Sequence, residues 1–277
     1  MHYAKTGHKE DCKPNQFAYA TLIHAHAKTK TVQGATKAEV LLKQMYDEYK
    51  KETSTKASSA ERVIPNTQLV TAVMDCWQKS GSPDAGRRAE NLLNWMIVTS
   101  KVTNDIAMRP NAHSFSTAIS AWARTRTAGK ASKARQLLLK MAQMHQQGQI
   151  ESPPNAYCFT NVINSCAYCI QEEDEKKTSL AIAVKTYKEL LQSKQTGIQP
   201  SHVTFSTFLT ALRNLLPGDE KRTNAVRTVF ETAVERGQVD PLVIQKLQAV
   251  LRPKDFGDLV PSSCLQDGKI IPHKIPN

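Results

Sequence analysis

Apolar residues recur along the chain as one face of a helix, and in five places that face follows a proline. The five prolines are Pro14, Pro65, Pro110, Pro154 and Pro200, which lie 51, 45, 44 and 46 residues apart. Asparagine follows the first four prolines, and Ser201 follows the fifth. A repeat of this length is typical of an array of stacked structural units. The sequence therefore predicts five related units.

Each unit is expected to begin with an amphipathic helix. Positions five, eight, nine and twelve after the proline are apolar almost throughout, and in the third unit they are Phe115, Ala118, Ile119 and Trp122. This spacing places four side chains on one stripe of a helix. Among the twenty equivalent positions only His26 is clearly polar. A proline just ahead of a helix is well tolerated, because its missing N–H is not needed there.

A second apolar stripe follows in each unit, with an alanine 24 residues after the proline in the first three. The pattern A-x-x-L-L-x-x-M occupies residues 38–45, 89–96 and 134–141, and looser copies begin at Ala183 and Val226. A small residue in this position lets two helices approach closely. Short polar linkers join the two stripes, so the two helices are expected to lie antiparallel. Each unit is thus predicted to be a helical hairpin.

The hairpins account for most of the chain, and no convincing alternation of apolar and polar residues predicts a strand. The predicted repeats lie near residues 14–64, 65–109, 110–153, 154–199 and 200–240, within an array over 13–251 that ends in a closing helix at 241–251. Residues 1–12 are predicted to be an irregular lead, and 252–277 a proline-containing irregular tail. The polar segment 50–62 is interpreted as an inserted loop. The predicted fold class is all-α.

Bulk composition limits the partners of the chain. Lys and Arg number 37 against 25 Asp and Glu, which gives a net charge of +12. This surplus suits a polyanionic partner, although ordinary solubility charge is the alternative. No apolar run approaches the roughly 18 residues of a membrane span, so no membrane association is expected. The first twelve residues hold two acids and no arginine, which does not resemble a transit peptide. Because the first predicted hairpin begins almost at once, the chain is expected to lack its natural beginning.

The cysteines favour free thiols over a metal site. Cys76, Cys158, Cys166 and Cys169 fall on predicted helices, which fits a reducing compartment. Structural zinc commonly needs two spaced pairs of ligands, and the C-x-x-C pair at Cys166 and Cys169 has no second pair. No cofactor or metal is therefore expected. Since no phosphate-binding glycine loop or nucleophile motif appears, an enzymatic function is not expected either.

The stretch from Pro110 to Met141, PNAHSFSTAISAWARTRTAGKASKARQLLLKM, resembles a pentatricopeptide repeat. The proline turn, the first-helix stripe and the A-x-x-L-L-x-x-M pattern carry the resemblance over roughly residues 13 to 240. The units are about ten residues longer than is usual for the family. The resemblance implies a right-handed α-solenoid that binds single-stranded RNA, and it implies a location in the mitochondrion or plastid.

Proteins of this family read one base per unit through two side chains. By matching the motif, the first set of base-reading residues lies six places after each proline: Ala20, Thr71, Ser116, Thr160 and Ser206. The second set follows the next unit's proline: Asn66, Asn111, Asn155 and Ser201. The resemblance implies a preference for purines, adenine most of all, for Thr71 with Asn111 and for Ser116 with Asn155. Ala20 is expected to read poorly, and helix capping explains the asparagines equally well.

Two further positions are expected to contact RNA away from the base edges. The resemblance implies base-stacking residues near the start of each first helix: Phe17, His113, Tyr157 and Val203, with Gln68 in the second unit. A hydrophobic staple at the helix start is the alternative for these residues. Fourteen residues after the proline come the cations Lys28, Lys79 and Arg124, which suit phosphate contacts. Stabilisation of a helix C terminus through its dipole is the alternative there.

The sequence leaves two functions open. The leading hypothesis is a non-catalytic adaptor in RNA processing, stability or translation that holds a single strand on its concave face, with a processing enzyme as a further partner. The alternative is a scaffold that binds a protein or peptide in the same groove. The long repeats and the weak second-helix patterns of the last two units favour this alternative.

Overall fold

The computed structural model describes residues 14–54, 65–103, 106–169, 172–193 and 198–260, together with the backbone of 265–266 and 269–270. The α-helices of these residues are α1 Gln16–Lys28, α2 Val32–Ser54, α3 Thr67–Lys79, α4 Ala85–Thr103, α5 Ala112–Arg124, α6 Lys130–Gln146, α7 Ala156–Ala167, α8 Glu173–Gln192, α9 His202–Leu215, α10 Glu220–Glu235, α11 Pro241–Val250 and α12 Pro253–Leu259. A 3-10 helix spans Ile106–Met108. Two short antiparallel strands, β1 Leu265–Gln266 and β2 Lys269–Ile270, pair with each other. The predicted all-α class is confirmed over the described residues.

The order of the helices follows the predicted hairpins. The first helices are α1, α3, α5, α7 and α9, the second helices are α2, α4, α6, α8 and α10, and α11 is the closing helix. Three segments differ from the expectation, and one of them is the strand pair β1–β2, which lies in the segment 252–277 that was predicted to be irregular. Residues 253–259 form α12 inside the segment predicted to be irregular. Pro253 is at the start of this helix, where no helical hydrogen bond requires its missing N–H. Residues 50–54 of the predicted loop continue α2, and the rest of that loop up to 62 and the lead 1–12 lie outside the described residues.

The chain divides into two compact units, 1–125 and 126–277, and the division falls in the loop of the third hairpin. In the first unit α3 contacts both α1 and α5, and the second helices α2 and α4 pack against these first helices. In the second unit α9 contacts both α7 and α11, while α6, α8 and α10 pack against them. Within each unit, therefore, a first helix packs against the next first helix along the chain.

Both predicted stripes form the core. The alanine and methionine of the second-helix pattern are fully buried in all three close copies: Ala38, Met45, Ala89, Met96, Ala134 and Met141. A residue as small as alanine lets a neighbouring helix lie close to it. Leu22 of α1 is an exception, because 47% of it is exposed. Among the described residues no first helix precedes α1 to cover this side chain.

An indole–carboxylate hydrogen bond repeats between successive hairpins of the first unit. Trp77 Nε1 donates to Glu39 Oε2 at 2.7 Å, and Trp122 Nε1 donates to Glu90 Oε2 at 3.0 Å. Each glutamate lies 25 residues after the proline of its own hairpin, and each tryptophan lies 12 residues after the proline of the next hairpin. The bond therefore holds each first helix to the preceding second helix in one register.

The second compact unit, residues 126–277, has an ion pair in place of this bond. Arg135 stands where Glu39 and Glu90 stand in earlier units, and Cys166 stands where the tryptophans stand. Arg135 donates to both carboxylate oxygens of Glu189 in α8, at 2.7 and 2.6 Å. Its side chain is only 9% exposed. Both partners of the repeated bond differ here. Arg135 therefore pairs with a carboxylate of α8 and not with a side chain of the next first helix.

Candidate nucleic-acid interface

The asparagines that follow the prolines cap the first helices. Asn66 Oδ1 accepts from the Leu69 N–H at 2.9 Å, and Asn111 Oδ1 accepts from the Ser114 N–H at 3.0 Å. Asn155 caps α7 in the same way. Helix capping, one of the two roles that the sequence left open for these asparagines, is thus present. It does not exclude contact with a base, because a carboxamide has two N–H donors in addition to the capping oxygen.

The residues six places after the prolines are largely buried. Thr71 and Ser206 are each 3% exposed, and Ser116 is 9% exposed. Their hydroxyls donate to main-chain carbonyls of the preceding turn, at 2.7 Å for Thr71, 2.9 Å for Ser116 and 3.0 Å for Ser206. Since a hydroxyl has one proton, none of these three has a donor left for a base unless it rotates. Ala20 is half-buried.

The predicted stacking residues, in contrast, are exposed. Each of them is the second residue of its first helix. Phe17 is 78% exposed, Tyr157 is 72% exposed and Val203 is 42% exposed, while Gln68 and His113 are exposed as well. A hydrophobic staple would bury these side chains against the next turn. Their exposure therefore does not fit the staple and leaves these side chains accessible from solvent.

The three predicted phosphate-binding cations are the last residues of α1, α3 and α5, and all three are exposed. Each lies eleven residues beyond the stacking position of its own helix. Eleven residues are about three helical turns, so the cation and the stacking residue share one face about 16 Å apart. Lys79 forms an ion pair with Asp75 at 2.5 Å, so the carboxylate partly neutralises the positive charge that Lys79 could offer to a phosphate. The position also suits the helix dipole, so both interpretations fit.

One cleft of the second unit brings four of the predicted residues together. It lies between α7 and α9, has a volume of about 230 Å³ and is lined by Tyr157, Thr160, Ser201 and Val203. These are two stacking positions and two base-reading positions of successive hairpins. Three polar residues that the sequence did not single out also line it: Asn161, Asn164 and Thr207.

The missed asparagines could have been found by counting along the exposed stripe. Asn161 and Asn164 lie four and seven residues after Tyr157. At 3.6 residues per turn these positions fall on the same face of α7 as the tyrosine ring. The resemblance directed attention to single offsets after the proline, whereas the cleft takes its lining from a continuous face.

A series of hydrogen bonds connects α7 with α9. The Ser201 backbone N–H donates to Thr204 Oγ1 at 3.2 Å, and the hydroxyls of Thr204 and Thr160 lie 2.8 Å apart. Thr160 Oγ1 also donates to the Ala156 carbonyl at 2.9 Å. Because Thr160 has one proton, Thr204 must be the donor in the shared bond. The series joins the two helices and occupies the Thr160 donor.

The thiols of the described residues are buried. Burial raises the pKa of Cys166 to about 12 and that of Cys158 to about 11. Cys169 lies two residues beyond the end of α7, whereas the sequence predicted it within a helix. In the described part of the chain, no three His, Cys, Asp or Glu side chains come together as metal ligands. A search of the same residues for a helix of bilayer length and apolar character finds none.

No protein-family model matches the sequence, and no curated protein matches it. The resemblance to pentatricopeptide repeats therefore rests on the repeated residues of the chain itself. What the protein can bind has to follow from the geometry of its exposed helix faces, and of the α7–α9 cleft above all.

Proposed function

We propose that this protein is a non-catalytic adaptor that binds single-stranded RNA along its first helices. The observation that carries the proposal is the α7–α9 cleft, where the exposed ring of Tyr157 lies beside a row of polar side chains. An unpaired base can stack on the ring and turn its polar edge into the cleft. Stacking of this kind is worth about 1–3 kcal/mol per base.

The recurrence of the exposed position supports a strand rather than an isolated nucleotide. The second residue of each of five first helices is exposed, and three of these residues carry a ring: Phe17, His113 and Tyr157. Part of the proposal is that the five hairpins stack into a right-handed α-solenoid, which would place these positions in a row. The packing of each first helix against the next within each unit supports this arrangement.

Charge supports the same partner. The net charge is +12, and the exposed cations Lys28, Lys79 and Arg124 end three successive first helices on the face that also holds the stacking residues. Contacts between such cations and phosphates release counterions and give affinity without sequence preference. The proposed location in the mitochondrion or plastid follows from the family resemblance, and a fluorescent fusion of the full-length gene product tests it.

A binding experiment with a matched pair of variants tests the function. Tyr157→Ala removes the exposed ring from the cleft, and Leu139→Ala removes a side chain that is 52% exposed on α6, outside the residues that line the cleft. With a single-stranded RNA of about ten nucleotides, Tyr157→Ala is expected to weaken binding about five-fold or more, and Leu139→Ala to leave it unchanged. Wild-type protein that does not bind single-stranded RNA in fluorescence anisotropy contradicts the proposal.

A groove along α8 favours a second candidate function, a scaffold for an acidic protein or peptide. It is lined by the apolar residues Leu180, Ala181 and Val184, by the cations Lys177, Lys185 and Lys188, and by Glu189 and Gln192, and its volume is about 650 Å³. Apolar side chains beside three cations suit an amphipathic acidic helix. Partners that remain bound in a pull-down after nuclease treatment, and that are lost from a Val184→Asp variant, would favour the scaffold.

A further inference from the structure

We propose that Asn164, and not Thr160, is the residue that discriminates between bases in the α7–α9 cleft. This inference rests on the proposed RNA-binding function and adds its specificity-determining group. The ligand is an unpaired nucleobase stacked on Tyr157, with its polar edge directed along α7 towards Asn164.

Thr160 lacks the donor that a base edge requires. Its proton goes to the Ala156 carbonyl at 2.9 Å, and its oxygen accepts from Thr204 at 2.8 Å. To donate to a base it would have to break the bond to Ala156. In the present arrangement Thr160 therefore positions α7 against α9, and it offers a base at most one remaining lone pair.

Asn164 lies one turn farther along α7 and lines the same cleft. It is half-buried, and within the described part of the chain its carboxamide makes no hydrogen bond. Thr207, on the facing wall, already donates its proton to the Val203 carbonyl at 2.7 Å. Asn164 is therefore placed to offer the cleft both a free donor and a free acceptor.

The chemistry of a carboxamide suits the recognition of a base edge. Its N–H₂ and C=O groups lie side by side, so it can pair with an edge that presents an acceptor next to a donor. Asparagine and glutamine form this paired contact with adenine, through its ring nitrogen and its amino group. A hydroxyl offers one proton from one atom and cannot make the paired contact.

Asn164 differs from the residues at the equivalent position of the other hairpins. Ten residues after each proline come His24, Asp75, Ser120, Asn164 and Thr210. All five are polar and all five differ, while the apolar positions around them repeat. All four of the others are engaged within the fold: His24 with the Ala20 carbonyl at 2.8 Å, Asp75 with Lys79, Ser120 with Gln78 at 2.6 Å and Thr210 with the Ser206 carbonyl at 2.9 Å.

The test compares four homopolymeric RNAs of about ten nucleotides, one for each base, by fluorescence anisotropy at constant salt. Asn164→Leu keeps a similar volume and removes the carboxamide. Thr160→Val removes the saturated hydroxyl, and Asn224→Leu makes the same change as the first variant at an exposed position of α10. Thermal melting of each variant shows that it remains folded.

For the wild type we expect the tightest and weakest Kd values to differ about five-fold or more, as for one paired base contact. Asn164→Leu is expected to bring this ratio close to one while the weakest Kd changes less than about two-fold. The ratio is expected to persist in Thr160→Val and in Asn224→Leu.

Failure of this inference and failure of the proposed function give different results. If the wild type binds no homopolymer, the RNA-binding function itself is wrong. If it binds all four equally, or if Asn164→Leu retains the wild-type ratio, RNA binding stands and the assignment to Asn164 is overturned. A uniform loss of affinity for all four RNAs in Asn164→Leu would also overturn it, because Asn164 would then support binding and not discrimination.

Discussion

The ring of Trp122 lies so close to Gly86 that a Cβ added to the glycine would be 2.5 Å from the Trp122 Cδ2 atom. Gly86 is in the first turns of α4, and Trp122 belongs to the first helix of the next hairpin. The absence of a side chain at Gly86 lets the tryptophan cross close to the α4 backbone and reach Glu90 at 3.0 Å. Glycine inside a helix is unfavourable by itself, so its presence here reflects this contact.

Gly86→Ala is therefore expected to destabilise the protein. The new methyl group displaces the Trp122 ring, and overpacking of this kind costs about 1–3 kcal/mol in the free energy of unfolding. The matched control is Gly257→Ala in α12, where nothing lies within 4 Å of the added Cβ and where alanine favours the helix. Urea unfolding followed by circular dichroism measures both. Equal effects of the two substitutions would show that the Trp122 ring does not limit the size of the side chain at position 86.

The ion pair between Arg135 and Glu189 is expected to matter through the buried arginine. Glu189→Ala leaves the Arg135 guanidinium, in a side chain only 9% exposed, without its carboxylate. Since Glu189 is itself 38% exposed, the expected cost is about 2–3 kcal/mol, below that of a fully buried pair. The double variant Arg135→Met with Glu189→Leu is expected to recover most of the loss, because it leaves no unpaired charge. Additive losses in urea unfolding would contradict this account.

The salt dependence of RNA binding is expected to distinguish the three cations. On single strands each phosphate contact contributes about 0.7 to the slope of log K against log salt. Lys28→Gln and Arg124→Gln should each reduce the slope by about this amount. Lys79→Gln should reduce it less, because Lys79 is already paired with Asp75 at 2.5 Å.

Titration of RNA at several salt concentrations gives these slopes. Lys254→Gln, at an exposed position of α12, serves as the control and should leave the slope unchanged. If all four variants have the wild-type slope, the cations act on their own helix ends and not on phosphates.

The buried thiols are expected to make the fold sensitive to alkali. Burial raises the pKa of Cys166 from its ordinary value of 9.0 to about 12, so the unfolded chain loses this proton at a lower pH than the folded chain. The stabilisation from the neutral thiol is complete below pH 9 and is lost as the pH rises towards the folded pKa. In this window the free energy of unfolding should fall by about 1.4 kcal/mol per pH unit for each such thiol.

Urea unfolding at pH 8, 9 and 10 measures this loss, and the comparison is a variant with alanine in place of both Cys158 and Cys166. That variant should be less stable at pH 8 and should lose less stability between pH 9 and 10. Parallel curves for the two proteins would assign the alkaline loss to other groups.

The sequence predicted the core well because helical periodicity is a local property. The spacing of Ala89 and Met96 placed both on one face of a second helix, and both are fully buried. The cap role of Asn66 was one of two interpretations, and its bond to the Leu69 N–H shows that capping is present. Thr160 could not be judged in the same way, because its hydrogen-bond partner Thr204 lies 44 residues away.

By itself, the sequence determined the fivefold recurrence, the two helices of each hairpin and the apolar faces they bury, since each depends on spacing within a few turns. Tertiary structure decided which polar side chains remain able to bind a ligand. It joined Thr160 to Thr204 across two hairpins, left Tyr157 exposed at the mouth of the cleft and left the Asn164 carboxamide without a partner among the described residues. The physical reason is that a donor is free only when no neighbour in space accepts its proton, and those neighbours come from distant parts of the chain.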